Sequence, residues 1–300
     1  MIIYTRINIF ESNAQVLVNT VNTVGVMGKG LAKEFKRLYP DMFNQYQKYC
    51  ENKKFTIGKL QIYKTVNKWI LNFPTKENWR NPSKLDYIEE GLKKFIANYE
   101  KLGIKSISFP MLGCGNGGLD WEREVKPLMQ KYLKNLPIDI FIHTASKDKF
   151  MPEYKDQKNI DIWLKSEPYY LSNLEFINHL KTRYSKLINT ITNEELKLNI
   201  DVSFKKFEEN DLVCLKSKEI KLCLEEDSLN NIWQILKNGG ILTKDMLPFE
   251  LAKNSNMIML FLSKLEYVTL TQLDNENIAI RLLAYIQPKT KNLTKELLIA

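Results

Sequence analysis

The chain has 300 residues, of which 44% are hydrophobic and 26% charged, an ordinary globular composition with room for two domains. No apolar run approaches the ~20 residues of a membrane span, and the start MIIYTRINIF fits a first strand better than a signal peptide. The four cysteines include no C-x-x-C pair. The sequence therefore predicts neither a zinc site nor a disulfide framework, and it favours a reducing cytoplasm.

Charge is divided unevenly along the chain. Residues 1–150 carry 24 Lys and Arg against 14 Asp and Glu, whereas residues 151–300 carry 20 against 21. A basic first half suits a polyanionic partner such as nucleic acid, through release of counterions. A lysine-rich composition that serves only solubility is the alternative, and charge alone does not choose between them.

Strand-like and helix-like segments alternate through the first half. Strands are predicted at 2–9, 15–22, 60–64, 69–73, 104–109 and 138–143, and helices at 28–39, 83–103 and 120–133. Ser83, with Asp86 three residues on, predicts the N-cap of the second helix, and Gly103 its end. This alternation predicts a sheet covered by helices on both faces.

The pattern changes after residue 145. The polar segment 146–158 is a predicted linker, which divides the chain into domains 1–150 and 151–300. In the second, smaller domain, helices are predicted at 171–191, 231–236 and 242–251, and strands at 267–273 and 278–285. We expect this domain to be α+β or mostly helical.

A glycine-rich motif, VNTVGVMGKGLA, begins at Val18 between a predicted strand and a helix. Gly25, Gly28 and Gly30 remove side chains where a backbone must approach a ligand, and the N–H groups of such a loop attract phosphate. Its spacing matches neither a Walker A loop nor a Rossmann loop. Glycines at a helix start also serve simple turns, so the motif alone leaves both functions open.

A second glycine-rich motif, FPMLGCGNGGLDW, follows the predicted strand that ends at Phe109. Four glycines in six residues cost much conformational entropy, which a plain connector would rarely accept. Two anion-binding loops at the ends of adjacent strands would suit a diphosphate.

The order of these two motifs in an alternating fold resembles the macrodomain family over residues 1–145. The resemblance implies a three-layer α/β/α sandwich with a mixed central sheet, and ADP-ribose as the ligand. Asn8 stands where many macrodomains have an aspartate for the adenine. The residues that the resemblance assigns to ADP-ribose are Asn8, Ile9, Asn19, Thr20, Asn22, Gly25, Val26, Met27, Gly28, Lys29, Gly30, Gly113, Cys114, Gly115, Asn116, Gly117, Gly118 and Leu119.

A third motif, FPTKENWR from Phe73 to Arg80, resembles the macrodomain branch of terminal ADP-ribose glycohydrolases and DarG antitoxins. These antitoxins remove ADP-ribose from DNA and are paired with DarT toxins. The resemblance implies that Lys76 is catalytic and that Asp120 assists. Lys76 would act as a neutral nucleophile or as a stabilising cation, and a surface lysine is the alternative. Asp120 also fits an ordinary helix N-cap.

Trp79 and Arg80 are candidates for nucleic-acid contact, by base stacking and phosphate binding, although a core tryptophan and a solvated arginine fit equally well. Cys114 has no neighbouring histidine and is not a predicted nucleophile, and His143 is a predicted core residue.

The function implied by the resemblance is hydrolysis of the N-glycosidic bond between ADP-ribose and a base of single-stranded DNA. The second domain would bind a DarT-type toxin, with the acidic clusters Glu208–Asp211 and Glu225–Asp227 as candidates for that contact. No cofactor or metal and no membrane is expected. The alternatives are a hydrolase of ester-linked ADP-ribose on protein and a non-catalytic ADP-ribose reader, which would need no reactive amine.

Overall fold

A computed structural model of the chain describes residues 1–144, 171–184, 189–207, 210–275, 277–282 and 297–299. They form two compact units, the first from residues 1–144 and 297–299 and the second from the remainder. The predicted linker, 146–158, and the predicted boundary at residue 150 lie outside the described residues. In the described residues, no helix is long and apolar enough to cross a membrane.

The first unit contains a seven-stranded mixed sheet. Its strands are β1 (Ile2–Thr5), β2 (Val16–Asn22), β3 (Leu60–Lys64), β4 (Trp69–Lys76), β5 (Ser106–Pro110), β6 (Asp139–His143) and Leu297–Ile299. The order β1-β6-β5-β2-β4 is parallel throughout, and β3 and then the last strand add in antiparallel register. Because β5, β2 and β4 are parallel neighbours, the segments that follow them emerge at the same edge of the sheet.

Helices cover both faces of this sheet, as the alternating sequence predicts. They are α1 (Gly30–Leu38), α2 (Pro40–Glu51), α3 (Leu85–Leu102) and α4 (Lys126–Leu133). Successive residues of a strand face opposite sides. Val16 and Val18 accordingly join the core under α3 and α4, whereas Leu17 joins the core under α1 and α2. The predicted three-layer α/β/α fold is confirmed.

Three helix starts differ from the prediction. The helix α2, which was not predicted, begins at Pro40. Proline is well tolerated in the first turn of a helix, so Pro40 starts this helix as well as ending the one before it. Ser83 is not the N-cap of α3, since Lys84 holds that position and no side chain caps it. The helix predicted from Asp120 is a π-helical turn, Trp121–Val125, that passes into α4.

The second unit is α+β. Its helices are α5 (Asn173–Arg183), α6 (Glu226–Gly239), α7 (Phe249–Ala252) and α8 (Ser255–Leu262). One antiparallel sheet contains β7 (Asn189–Asn193), β8 (Leu198–Phe207), β9 (Asn210–Ser217) and β10 (Ile220–Glu225), and another contains β11 (Ile241–Thr243), β12 (Val268–Gln272) and β13 (Ile278–Leu282). A single core unites helices and sheets around the buried Trp233.

Several predictions for this unit are wrong. The segment 171–191 is a helix only as far as Arg183, and the helix predicted at 242–251 is replaced by β11, a 3₁₀ turn and the short α7. The sheet formed by β7 to β10 was not predicted. Its strands are partly exposed and polar, so the alternating apolar signal is weak.

The prediction of no disulfide is also wrong. Cys214 and Cys223 lie directly opposite each other in the β9–β10 ladder, 4.1 Å apart between Cα atoms, and form a disulfide. This pairing depends on strand register, which the spacing of the cysteines in the sequence does not show.

A candidate ligand cleft between two glycine loops

Loop 1, residues 23–29, joins β2 to α1 and is shaped by the side chain of Asn22. The Asn22 Oδ1 accepts hydrogen bonds from the backbone N–H groups of Val24 (3.1 Å) and Val26 (3.2 Å). Its Nδ2 donates to the Val26 carbonyl at 2.6 Å. Gly25 lies inside this turn with φ +83°, a left-handed conformation that favours glycine. The first half of loop 1 is therefore held by the protein itself.

The second half of loop 1 leads into the N-terminus of α1, where backbone N–H groups lack hydrogen-bond acceptors within the helix. Lys29 is the N-cap residue, and no side-chain hydrogen bond caps the helix. The first N–H groups of a helix have no intrahelical acceptors, and the helix dipole makes this end positive. The start of α1, at Gly30, is thus suited to a phosphate.

Loop 2, residues 111–119, follows β5 and is shaped mainly by its own backbone. Gly113 and Gly118 have φ values of +70° and +80°. A Cβ on Gly117 would overlap with the Gly113 carbonyl and the Ser83 hydroxyl, and the Gly117 carbonyl accepts from the Ser83 N–H at 2.9 Å. These three glycines are explained by the fold of the loop.

Two further glycines are not required by the fold. Gly28 and Gly115 do not have positive φ values. A Cβ on Gly28 would have Val26 as its nearest neighbour at 3.9 Å, and a Cβ on Gly115 would meet nothing within 4 Å. Each loop therefore has one position that is exposed and open, at which the chain itself would accept a side chain.

The two loops meet at Asn116. A Cβ on Gly30 would lie 3.0 Å from the Asn116 Nδ2, so the Asn116 side chain comes close to the start of α1. The Asn116 carbonyl accepts a hydrogen bond of 2.6 Å from the Lys76 Nζ. Loop 2 thus lies against both the start of α1 and the end of β4.

Lys76 is the last residue of β4 and is half-buried beside loop 1. It pairs with Asn22 in the β2–β4 ladder after a register shift. The next residue, Glu77, accepts two hydrogen bonds of 3.1 Å from Thr23, one from its N–H and one from its hydroxyl. Partial burial lowers the pKa of the Lys76 ammonium below its ordinary value. The predicted catalytic amine therefore lies between the two loops.

Asp120 caps the π-helical turn, as its alternative reading predicts. Its Oδ1 accepts from the Arg123 N–H at 2.9 Å, and its own N–H donates to the Glu124 Oε2 at 2.8 Å.

Burial, with the nearby carboxylates of Asp120 and Glu124, raises the pKa of the Cys114 thiol to about 11. Cys114 is thus a protonated thiol at neutral pH, in agreement with the prediction that it is not a nucleophile.

Trp79 and Arg80 follow β4 on the surface. The Trp79 side chain is 46% exposed, so it is not a core tryptophan. The Arg80 guanidinium lies over its ring, 4.6 Å from the centroid. An exposed indole and a cation, three and four residues after Lys76, are groups that can stack on a base and contact a phosphate.

Some predicted contact residues have other roles. Asn8 caps a 3₁₀ turn at Ile9–Glu11, accepting from the Phe10 N–H at 2.9 Å, and Ile9 and Met27 are buried. Asn19 is fully buried, and its Nδ2 donates to the Asn72 Oδ1 at 2.8 Å within the sheet. The structure does not bring the Asn19 side chain to the cleft.

The structure also gives the positions of the remaining predicted residues. Thr20 is half-buried in β2, and Leu119 is half-buried at the end of loop 2. His143 is buried and contacts the Ile7 carbonyl at 2.8 Å and the Ser108 hydroxyl at 3.0 Å, as expected of a core residue. The sequence did not predict the role of Tyr46, which hydrogen-bonds to Asn22 from α2. The described residues contain no cluster of His, Cys, Asp or Glu that would hold a metal.

Comparisons with known proteins find relatives of the N-terminal unit. Residues 18–128 match the family model of the Macro domain. The chain is 44% identical over 148 residues to a DNA ADP-ribosyl glycohydrolase of Thermus aquaticus, covering 48% of this chain and 41% of that protein. It is 41% identical over 155 residues to a DNA ADP-ribosyl transferase–DNA ADP-ribosyl glycohydrolase fusion protein of Thermosipho africanus, covering 45% and 40% respectively.

Among solved structures, the chain is 46% identical in sequence to the macrodomain of Mycobacterium tuberculosis DarG. That match covers 49% of this chain and 99% of the solved chain, with a TM-score of 0.47. The match covers only about two fifths of the length of the two curated relatives.

Proposed function

Because residues 18–128 of the N-terminal unit are a macrodomain, we propose that this unit binds ADP-ribose and hydrolyses the N-glycosidic bond that joins it to a DNA base. The observation that carries the proposal is the position of Lys76 between two loops that each keep an open glycine. The choice of substrate is supported by the two relatives, one a DNA ADP-ribosyl glycohydrolase and the other a fusion protein that includes one.

The diphosphate would lie between the loops. The uncapped start of α1 offers N–H donors and a positive dipole from one side. Gly28 and Gly115 allow the two backbones to approach the ligand, since a side chain at either position would project into open space. Lys29 adds a positive charge beside Gly28.

Lys76 would act at the anomeric carbon of the distal ribose. In its neutral form it attacks that carbon, the bond to the base nitrogen breaks, and the base leaves with the bonding electrons and takes up a proton. Water then cleaves the covalent adduct, releasing ADP-ribose and the free amine. As a cation, Lys76 would instead stabilise the departing base or the diphosphate without bonding.

The hydrogen bond from Lys76 to the Asn116 carbonyl bears on this choice. A carbonyl acceptor favours the protonated amine, whereas partial burial favours the neutral amine. Nucleophilic attack would require Lys76 to leave Asn116 and lose its proton. Asp120 would assist by orienting water or substrate, although its Oδ1 is engaged in the helix cap.

The decisive experiment presents the full chain with two substrates, a singly ADP-ribosylated single-stranded oligonucleotide and a protein with ester-linked ADP-ribose. We expect release of free ADP-ribose and an unmodified oligonucleotide, scored by mass spectrometry, with no comparable release from the protein. Release from the protein alone would identify an ester hydrolase, and tight binding of ADP-ribose without release would identify a reader.

The C-terminal unit is proposed to bind a DarT-type toxin, and the DNA substrate favours a cytoplasmic location. Glu225, Glu226 and Asp227 are exposed at the start of α6, where acidic residues also stabilise a helix. Glu208 and Glu209, of the other acidic cluster, lie outside the described residues. The support is the near-neutral charge of this half and the fusion of a transferase to the Thermosipho relative.

Separate fragments test this division of labour. Residues 151–300 should retain the toxin in a pull-down and protect cells without hydrolase activity, whereas residues 1–150, which keep six of the seven strands of the first sheet, should hydrolyse without tight binding. Capture of the toxin by the 1–150 fragment would refute the assignment.

A further inference from the structure

A buried tyrosine on α2 holds the residue that shapes loop 1. Tyr46 is fully buried, and its hydroxyl donates to the Asn22 carbonyl at 2.6 Å. The same hydroxyl lies 3.2 Å from the Asn22 Oδ1, the atom that accepts the N–H groups of Val24 and Val26. Tyr46 therefore contacts both the main chain and the side chain of Asn22.

The contacts around Gly25 extend this arrangement. The Cys50 Cβ, one helical turn after Tyr46, would lie 3.3 Å from a Cβ on Gly25. The Gln47 Cγ, on the same helix, would lie 3.5 Å from this Cβ, so Gly25 is packed closely against α2. One turn of α2 thus supports the first half of loop 1, through Tyr46 on Asn22 and Cys50 beside Gly25. This support fixes the direction in which the loop continues toward α1.

We propose that Tyr46 is a positioning residue for ADP-ribose, acting through Asn22 to direct the uncapped start of α1 into the cleft. The inference rests on the proposed function for the identity of the ligand. The Asn22 Oδ1 and one N–H of its amide are engaged in loop 1, so Tyr46 also fixes the orientation of the side chain that is predicted to contact the distal ribose.

The chain provides a matched control for Tyr46. Tyr39 is also buried, packs in the same core between α1 and α2, and stacks on Phe35. Its hydroxyl has no hydrogen-bond partner within the described residues. Changing either tyrosine to phenylalanine removes one buried hydroxyl from the same core, but only Tyr46→Phe removes a hydrogen bond to Asn22, the residue that shapes loop 1.

The test compares full-length Tyr46→Phe and Tyr39→Phe with wild type. Calorimetry with ADP-ribose and steady-state assays on the modified oligonucleotide should show Kd and KM raised about three- to tenfold by Tyr46→Phe, with kcat within about twofold of wild type. Tyr39→Phe should change none of these values. Equal effects of the two variants, or a fall in kcat with KM unchanged, would overturn the proposal.

Hydrogen exchange of the Val24 and Val26 amides separates this inference from the proposed function. Exchange should be faster in Tyr46→Phe and unchanged in Tyr39→Phe, with or without a ligand. Failure of the wild type to bind ADP-ribose would refute the proposed function, and the exchange data would still decide the role of Tyr46. Unchanged exchange in Tyr46→Phe would refute that role.

Discussion

Loops 1 and 2 lie at the same edge of the sheet but are built in different ways. Loop 1 takes its shape from side chains outside it, Asn22 and Tyr46, whereas loop 2 takes its shape from its own glycines and one contact with Ser83. Each nevertheless keeps one glycine, Gly28 or Gly115, that its fold does not require. The common feature of the two loops is thus the open backbone, which points to a shared ligand.

Removing Lys76, which lies between the two loops, should have the largest effect on activity. We expect Lys76→Ala to reduce turnover about a thousandfold, or ~4 kcal/mol of barrier, while ADP-ribose still binds because both loops remain. Lys64→Ala is the control, since Lys64 is also a strand-end lysine whose pKa is lowered by burial. Turnover of Lys76→Ala within about threefold of wild type would show that Lys76 is not catalytic.

Substituting Gly117 should show that loop 2 depends on its own packing. The φ of Gly117 is not positive, but a Cβ there would overlap with Gly113 and Ser83. Gly117→Val should therefore lower the free energy of unfolding by ~3 kcal/mol, measured by urea titration. A variant as stable as wild type would mean that loop 2 rearranges freely.

The two ends of β4 carry lysines in contrasting environments. Lys76 ends the strand at the cleft, whereas Lys68, immediately before it, is fully buried and donates to the Ala14 carbonyl at 2.8 Å. Burial lowers the pKa of Lys68 from 10.5 to about 7. Between these values the unfolded chain binds more protons than the folded chain, so the contribution of Lys68 to stability rises with pH and is lost as the pH falls through about 7.

Lys68→Met should remove this pH dependence. Relative to the variant, the free energy of unfolding of wild type should gain ~2 kcal/mol from pH 7 to about pH 9. Parallel stability curves for the two proteins would contradict the low pKa of Lys68.

The smallest expected effect concerns Trp79. Trp79→Ala should raise KM for the modified oligonucleotide about three- to tenfold, or ~1 kcal/mol, and leave the affinity for free ADP-ribose unchanged. Phe249→Ala is the matched control, because Phe249 is also exposed, at 79%, with the Lys253 ammonium 4.7 Å from its ring centroid. Equal KM changes in the two variants would remove Trp79 from the DNA contact.

The sequence predicted the first unit better than the second for a physical reason. Buried parallel strands such as β2 and β5 are strong apolar signals between helices of clear period. The partly exposed strands β7 to β10 are not, and the Cys214–Cys223 disulfide depends on their register. Local signals also failed at single residues, since Pro40 begins a helix and Ser83 supports loop 2 instead of capping α3.

At the cleft, the sequence motifs predicted the two loops and Lys76, but not which side chains hydrogen-bond to them. Asn19 and Asn22 have equal chemistry in the sequence, yet one is paired with Asn72 inside the sheet and the other shapes loop 1. Which atoms an amide reaches depends on the alternation of faces along β2 and on the bulge at its end. Tyr46 lies far along the chain from Asn22, so no spacing rule would have found it.

Titration of ADP-ribose into wild type and Gly115→Val is the most direct test of a shared ligand site between the loops. The fold leaves open space at Gly115, so thermal unfolding of the variant should match that of wild type within ~1 °C. Wild type should bind ADP-ribose with one site per chain, and Gly115→Val should show no measurable binding. Wild-type affinity in the variant would contradict the account, because the open backbone of loop 2 would then have no role in holding the ligand.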